Sequence, residues 1–164
     1  MINPPRCGST LLVCVDGPSG AGKTEFASAL AHTLGDPPVV HMDELYPGWD
    51  GLAAGVARLH AEVVAPLAAG RPAGYRRWDW THDAYGEHRD LGTPPMLVVE
   101  GVGAGTAPGM LVWLDAPAEV RYRRAMARDG AAYAPYWARW AAQERAHFAA
   151  DGTAARADVR LTTG

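Results

Sequence analysis

Residues 10–24 read TLLVCVDGPSGAGKT. The first seven are a short apolar run rich in β-branched residues, closed by Asp16 and Gly17. Such a run, flanked by turn residues, predicts a strand buried on both faces of a parallel sheet. The second half fits GxxxxGK[ST], in which glycines let the backbone wrap an anion with its N–H groups pointing inward. Lys23 is the only lysine among 15 basic residues; the others are all arginine. Ile2, Asn3 and Gln143 are also sole examples of their type, a skew typical of a GC-rich genome. A lysine that stands against that pressure has a physical reason. Its ammonium is a compact point charge on a flexible stem, whereas the planar fork of arginine fits poorly inside a tight loop. Thr24 then supplies the hydroxyl that this pattern places on Mg²⁺.

The chain has 164 residues and a formal charge of −3, enough for one domain with one substantial core and without the basic footprint of a nucleic-acid binder. No apolar run approaches the length of a membrane span, and the first ten residues, MINPPRCGST, lack the apolar stretch of a secretory leader. Cys7 and Cys14 have neither a zinc nor a CxxC spacing. They read as reduced cysteines of a cytoplasmic protein.

Strands and helices alternate along the chain. A helix is predicted from about Gly22 to Leu34, and VVHM forms a short strand followed by Asp43. Asp50 is placed to cap a helix running to about Ala69, with Leu52, Val56, Leu59, Val63 and Leu67 inward. MLVVEG (96–101) and MLVWLDAP (110–117) are buried strands ending at Glu100 and Asp115. Helices follow at about Ala118–Arg128 and Tyr136–Ala150, and ADVRLTT (157–163) is a last strand. The pattern predicts an α/β sandwich, a parallel sheet of about five strands with helices on both faces. In such sheets ligands bind at the carboxyl ends of the strands. The glycine loop, Asp43, Glu100 and Asp115 are all expected there.

The candidate nucleotide contacts are Gly17, Pro18, Ser19, Gly20, Ala21, Gly22, Lys23, Thr24 and Glu25. Asp43 is the candidate general base, a carboxylate placed to take a proton from a substrate hydroxyl. Glu100 either holds Mg²⁺ with Thr24 or is an ordinary strand-end carboxylate. Asp16 is either a polar group near the metal or a strand-end acid. Asp115 is expected to cap the helix after it. Arg121, Arg124 and Arg128 share one helix face and fit a lid over a transferring phosphoryl group, with residues 121–136 as the lid region. The segment YRRWDWTHDAYGEHRD (75–90) is dense in aromatics and charge. It reads equally as an acceptor pocket, through Trp78, Trp80 and His82 together with Tyr46, or as a hairpin whose aromatics only pack. The stripe Tyr133, Tyr136, Trp137, Trp140, His147, Phe148 reads as core.

With these residues in view, the chain resembles the uridine kinase-like branch of the P-loop nucleoside and nucleotide kinases. VDGPSGAGKT is similar to that family's opening, HMDELYPGW to its aspartate after the second strand, VVEGV to its acidic strand end and RYRRAMARD to its lid helix. The resemblance implies a P-loop NTPase three-layer sandwich and an ATP- and Mg²⁺-dependent transfer to a small-molecule hydroxyl, most directly on a nucleoside such as uridine. It implies Asp43 as base, Lys23, Arg124 and Arg128 as catalytic cations, and Thr24 and Glu100 as Mg²⁺ ligands. The histidine of WDWTHDAY is out of register with the family's nucleobase contact. A chloramphenicol-type antibiotic O-phosphotransferase is therefore an alternative, and a non-kinase ATP-sensing or hydrolysing module is a third reading. A Ras-type GTPase is excluded, because the chain has one Asn and one Lys and cannot write NKxD. Neither nucleic acid nor membrane is an expected partner; a homodimer is left open.

Overall fold

The computed structural model describes residues 6–164. Residues 1–5, read above for a leader, lie outside them. Strand β1 (Arg6–Cys7) turns back antiparallel on β2 (Thr10–Asp16). The glycine loop leads into α1 (Lys23–Thr33), then β3 (Val39–His41) and a 3₁₀ turn, Met42–Glu44. Helix α2 (Leu52–Arg58) passes through a π-helical turn (Leu59–Val64) into α3 (Ala65–Ala68). A hairpin of β4 (Ala73–Asp79) and β5 (Ala84–Gly92) precedes β6 (Met96–Glu100) and β7 (Met110–Asp115). Helices α4 (Ala118–Asp129), α5 (Trp137–Asp151) and α6 (Thr153–Arg156) and strand β8 (Val159–Thr162) complete the chain.

Five strands form the parallel sheet in the order β3-β6-β2-β7-β8. The side-chain period of two divides each central strand between the two faces. Leu12, Cys14, Leu97 and Val99 join the larger core, beneath α2, α3 and α5. Val13, Val15 and Val98 join the smaller one with Ala27 and Ala31 of α1. The core face of the long helical run is as expected: Leu52, Leu59, Val63 and Leu67 are buried, and Val56 packs at the edge.

Two expected helix caps are not formed. The residue before α2 is Gly51, and Asp50 is instead paired with Arg139 of α5, Arg139 Nε donating to Oδ1 at 2.6 Å. Helix α4 begins after Pro117 with no side-chain cap. Asp115 accepts from the N–H of Ala116 at 2.8 Å, one residue too early to reach the helix's free N–H groups. In both places a partner distant in sequence or the strand-to-helix turn competes with the cap.

Asp16 is fully buried at the end of β2. Its Oδ1 accepts from Gly17 N at 2.7 Å, and its Oδ2 from Gly105 N at 2.8 Å and Gly103 N at 3.1 Å. All its described partners are backbone N–H groups, so it ties the loop after β6 to the phosphate loop. Burial outweighs these bonds and pushes its carboxyl up to about 6, against an ordinary 3.8. The folded protein therefore holds this proton more tightly than the unfolded chain. Asp16's contribution is full below about pH 4 and is lost as pH rises through about 6, an effect of about 3 kcal/mol. Denaturant melts of wild type and Asp16→Asn at pH 4 and pH 7 check this: the wild type should lose about that much relative to the variant. A difference that does not change with pH would assign the proton elsewhere.

Candidate active site

The phosphate loop lies between the end of β2 and the start of α1. Two of its glycines are required by close backbone approaches. At Gly17 (φ +148°) a Cβ would sit 1.9 Å from the carbonyl oxygen of Leu114, and at Gly20 (φ +82°) 2.3 Å from that of Arg121. Lys23 is 9% exposed, and its Nζ donates to the carbonyl of Pro18 at 2.9 Å, folding the ammonium back over the loop.

Across the loop, Glu100 at the end of β6 is buried. Thr24 Oγ1 donates to its Oε1 at 3.3 Å, and His41 Nδ1 donates to the same oxygen at 2.6 Å. Glu100 in turn raises the pKa of His41 from its ordinary value, chiefly through this bond. The sequence alone assigns His41 no role. Its signal was position: β3 and β6 are register partners at His41 and Glu100. A hydroxyl and a carboxylate oxygen converging beside a phosphate loop are hard donors of the kind Mg²⁺ takes, with phosphate oxygens and waters filling the remaining positions. Among the described residues no three His, Cys, Asp or Glu side chains form a metal cage of their own.

Asp43 lies in the 3₁₀ turn after β3, exposed to the cleft but surrounded by its walls. Desolvation by those walls, then the charge of Glu100, raises its carboxyl above the ordinary value; Lys23, Arg128 and His41 pull the other way. Glu44 points elsewhere. It accepts from Tyr75 OH and pairs with Arg77 at 3.0 Å and Arg89 at 3.4 Å, anchoring the hairpin.

Two cavities meet at Asp43. One, of about 680 Å³, holds the loop from Ser19 to Glu25 together with Glu100, Arg124 and Arg128. The other, of about 490 Å³, is walled by Trp49, Trp80, Tyr133 and Trp140. Ser19, Asp43, Tyr46, Arg128 and Trp140 belong to both. Of the three arginines expected on one face of α4, Arg124 and Arg128 reach the first cavity. Arg121 does not line it; its Nε donates to the carbonyl of Ala116 at 3.0 Å and its Nη1 to that of Ser19 at 3.4 Å. Gly17 and Pro18 form the loop's entry and do not line the cavity.

The aromatic segment is a hairpin, and it divides the residues expected to meet an acceptor. Trp80 lines the second cavity, its Nε1 donating to the main-chain oxygen of Asp43 at 2.9 Å. Trp78 does not reach either cavity. It packs edge-on to Tyr85 at 5.1 Å, and its Nε1 is buried without a partner. His82 is held at the exposed tip by Asp79, 2.7 Å from its Oδ2. The reason is local: β4 ends at Asp79, so Trp80 falls in the turn, while Trp78 stays in the strand, past a register shift at Arg76–Trp78, and packs on its partner Tyr85. Tyr46 lines both cavities, but its hydroxyl is committed to Val102 O at 2.5 Å. The stripe expected as core is partly wall, since Tyr133 and Trp140 face the second cavity.

One contact had no sequence signal at all. Glu144 of α5 is buried, and its Oε1 accepts from Ser19 N at 3.0 Å and from the Ser19 hydroxyl. It reaches the phosphate loop from 125 residues away.

Two solved structures are similar in fold. A possible uridine kinase from Bacillus stearothermophilus superposes with a TM-score of 0.66 at 22% identity, covering 93% of this chain and 88% of that one. A shikimate kinase from Acinetobacter baumannii, solved in complex with shikimate, gives 0.52 at 20% identity, covering 96% and 86%. No family model and no curated protein matches the sequence. At these identities the likeness is one of fold: the mostly parallel sheet with its flanking helices is shared with these two kinases.

Proposed function

We propose that this chain is an ATP-dependent kinase that transfers the γ-phosphoryl group to a hydroxyl of a small molecule, a nucleoside such as uridine being the foremost candidate. The observation that carries this reading is the position of Asp43, at the junction of a phosphate-loop cavity and an aromatic cavity. A module that only senses or hydrolyses ATP needs no second cavity with a carboxylate at its mouth.

The N–H groups of residues 19–24 and the Lys23 ammonium hold the β- and γ-phosphates. Asp43 orients the acceptor hydroxyl and takes its proton, and its raised pKa brings it closer to the neutral range where a general base works best. Arg124 and Arg128 meet the charge on the transferring group, with α4 and the turns through Tyr136 as the lid. Thr24 and Glu100 would hold Mg²⁺, which neutralises phosphate charge when bound.

The aromatic wall of the second cavity also suits an antibiotic-type alcohol. A coupled ADP-release screen with Mg-ATP separates the readings. Nucleosides, pantothenate-like alcohols, phenicols and aminoglycosides would be offered one class at a time. ADP release accelerated by one class names the acceptor. Slow release that none of them accelerates sinks the kinase reading for these compounds and favours an ATP-sensing module.

A further inference from the structure

Trp49 is the centre of the second cavity's wall. It stacks on Tyr136 at 4.7 Å and on Tyr133 at 5.0 Å, and Trp80 leans on it at 4.9 Å. Trp80 is still 38% exposed. Aromatic faces carry negative potential, so they favour flat rings and cations and repel anions.

The charged members of the wall point the same way. They are Asp43, Asp129 and Arg128. The one guanidinium is partly engaged, Arg128 Nε donating to Asp129 Oδ2 at 2.9 Å, and in the kinase reading its remaining donors face the transferring phosphoryl group. Two carboxylates against one guanidinium leave a net negative wall. Cations nearby are spent as well: Arg77 and Arg89 on Glu44, and Arg139 on Asp50. Arg124 serves the phosphate-loop cavity and does not line this one. Among the described residues, an acceptor carrying a carboxylate or phosphate would meet two carboxylates here and no guanidinium that is not already paired with one of them.

We infer that this cavity selects its acceptor by charge: it takes a ring-bearing alcohol that is neutral or cationic and refuses one that carries a carboxylate or a phosphate. The word acceptor rests on the kinase reading; the charge selection belongs to the cavity itself. Shikimate, the ligand in the second related structure, is on this ground a compound the cavity turns away.

Two measurements test it. The first needs no turnover. Tryptophan fluorescence of wild type and Trp80→Phe is quenched with iodide, caesium and acrylamide at constant ionic strength. Each constant is scaled to that of free N-acetyltryptophanamide, and the difference between the proteins isolates Trp80. Acrylamide and caesium should reach it, with a scaled iodide constant several-fold smaller. Asp129→Asn, which balances the wall, should raise the iodide constant. Iodide quenching equal to or above that of caesium overturns the proposal.

The second measurement compares matched alcohols: uridine with its 3′-monophosphate, and methyl shikimate with shikimate. The uncharged member of any pair that reacts should be favoured in kcat/KM by at least about tenfold, since a like-charge contact costs more than 1.4 kcal/mol. Preference for the anionic member overturns the proposal. Exclusion of iodide with no turnover of any alcohol would instead leave the charge selection standing and bring down the kinase reading.

Discussion

Replacing Asp43 by Asn is expected to lower kcat by about 10²–10⁴-fold, the range for loss of a positioned proton acceptor. The affinity for ATP should change little, because Asp43 is not part of the phosphate loop. The amide keeps the side chain's size and removes its ability to take a proton. The acceptor KM should also stay near wild type, since the amide can still bond the acceptor hydroxyl and the aromatic members of the cavity wall are untouched. Single-turnover kinetics beside a nucleotide-binding titration distinguish the outcomes. If activity and ATP binding fall together, Asp43 is holding the cleft's shape, and the base lies elsewhere.

The second large effect is expected from a substitution that keeps the charge. Lys23→Arg should cost about 10²-fold or more in kcat, comparable to loss of a preorganised charge at a transition state. In a chain with fourteen arginines this is the replacement its composition favours. The Lys23 ammonium lies almost wholly inside the loop, 2.9 Å from the Pro18 carbonyl. A planar guanidinium is wider and its donors are fixed in a fork. It would have to push the loop apart or leave it. Phosphoryl-transfer rates within a few-fold of wild type would show that charge alone suffices and that the compact ammonium is not what the loop requires.

Both predictions use residues whose place was legible before the fold was known. GPSGAGKT follows an apolar run and opens a helix, and that context makes the glycines and the lysine readable. Asp43 and Glu100 were legible for a related reason. Asp43 follows a short strand of the parallel sheet and Glu100 ends one, and such strands deliver their last residues to one edge. The arginines of α4 were legible only in part. Helical spacing put Arg121, Arg124 and Arg128 on one face, but not which of them a neighbouring carbonyl would claim. Arg121 lies closest to the turn and is taken by Ala116.

Other parts of the site depended on contacts that sequence spacing does not encode. Asp16 is a strand-end acid like Glu100 and Asp115, yet it is sealed under the loop after β6 and bonded to three backbone N–H groups. Glu144 is one acid among many on an amphipathic helix until α5 lies against Ser19. Trp78 and Trp80 are two residues apart, and a strand pattern sends them the same way. The end of β4 at Asp79 separates them into packing and wall.

The sequence by itself determined the strand–glycine loop–helix, the parallel sheet and the acids at its edge. These rest on local rules: backbone torsions open to glycine, the alternation of a strand, and the fact that consecutive parallel strands end together. The tertiary structure alone decided which carboxylates became structural, which indole reached the cavity and what charge its wall carries. Those outcomes are settled by competition for hydrogen-bond and ion-pair partners that are brought together only when distant segments pack.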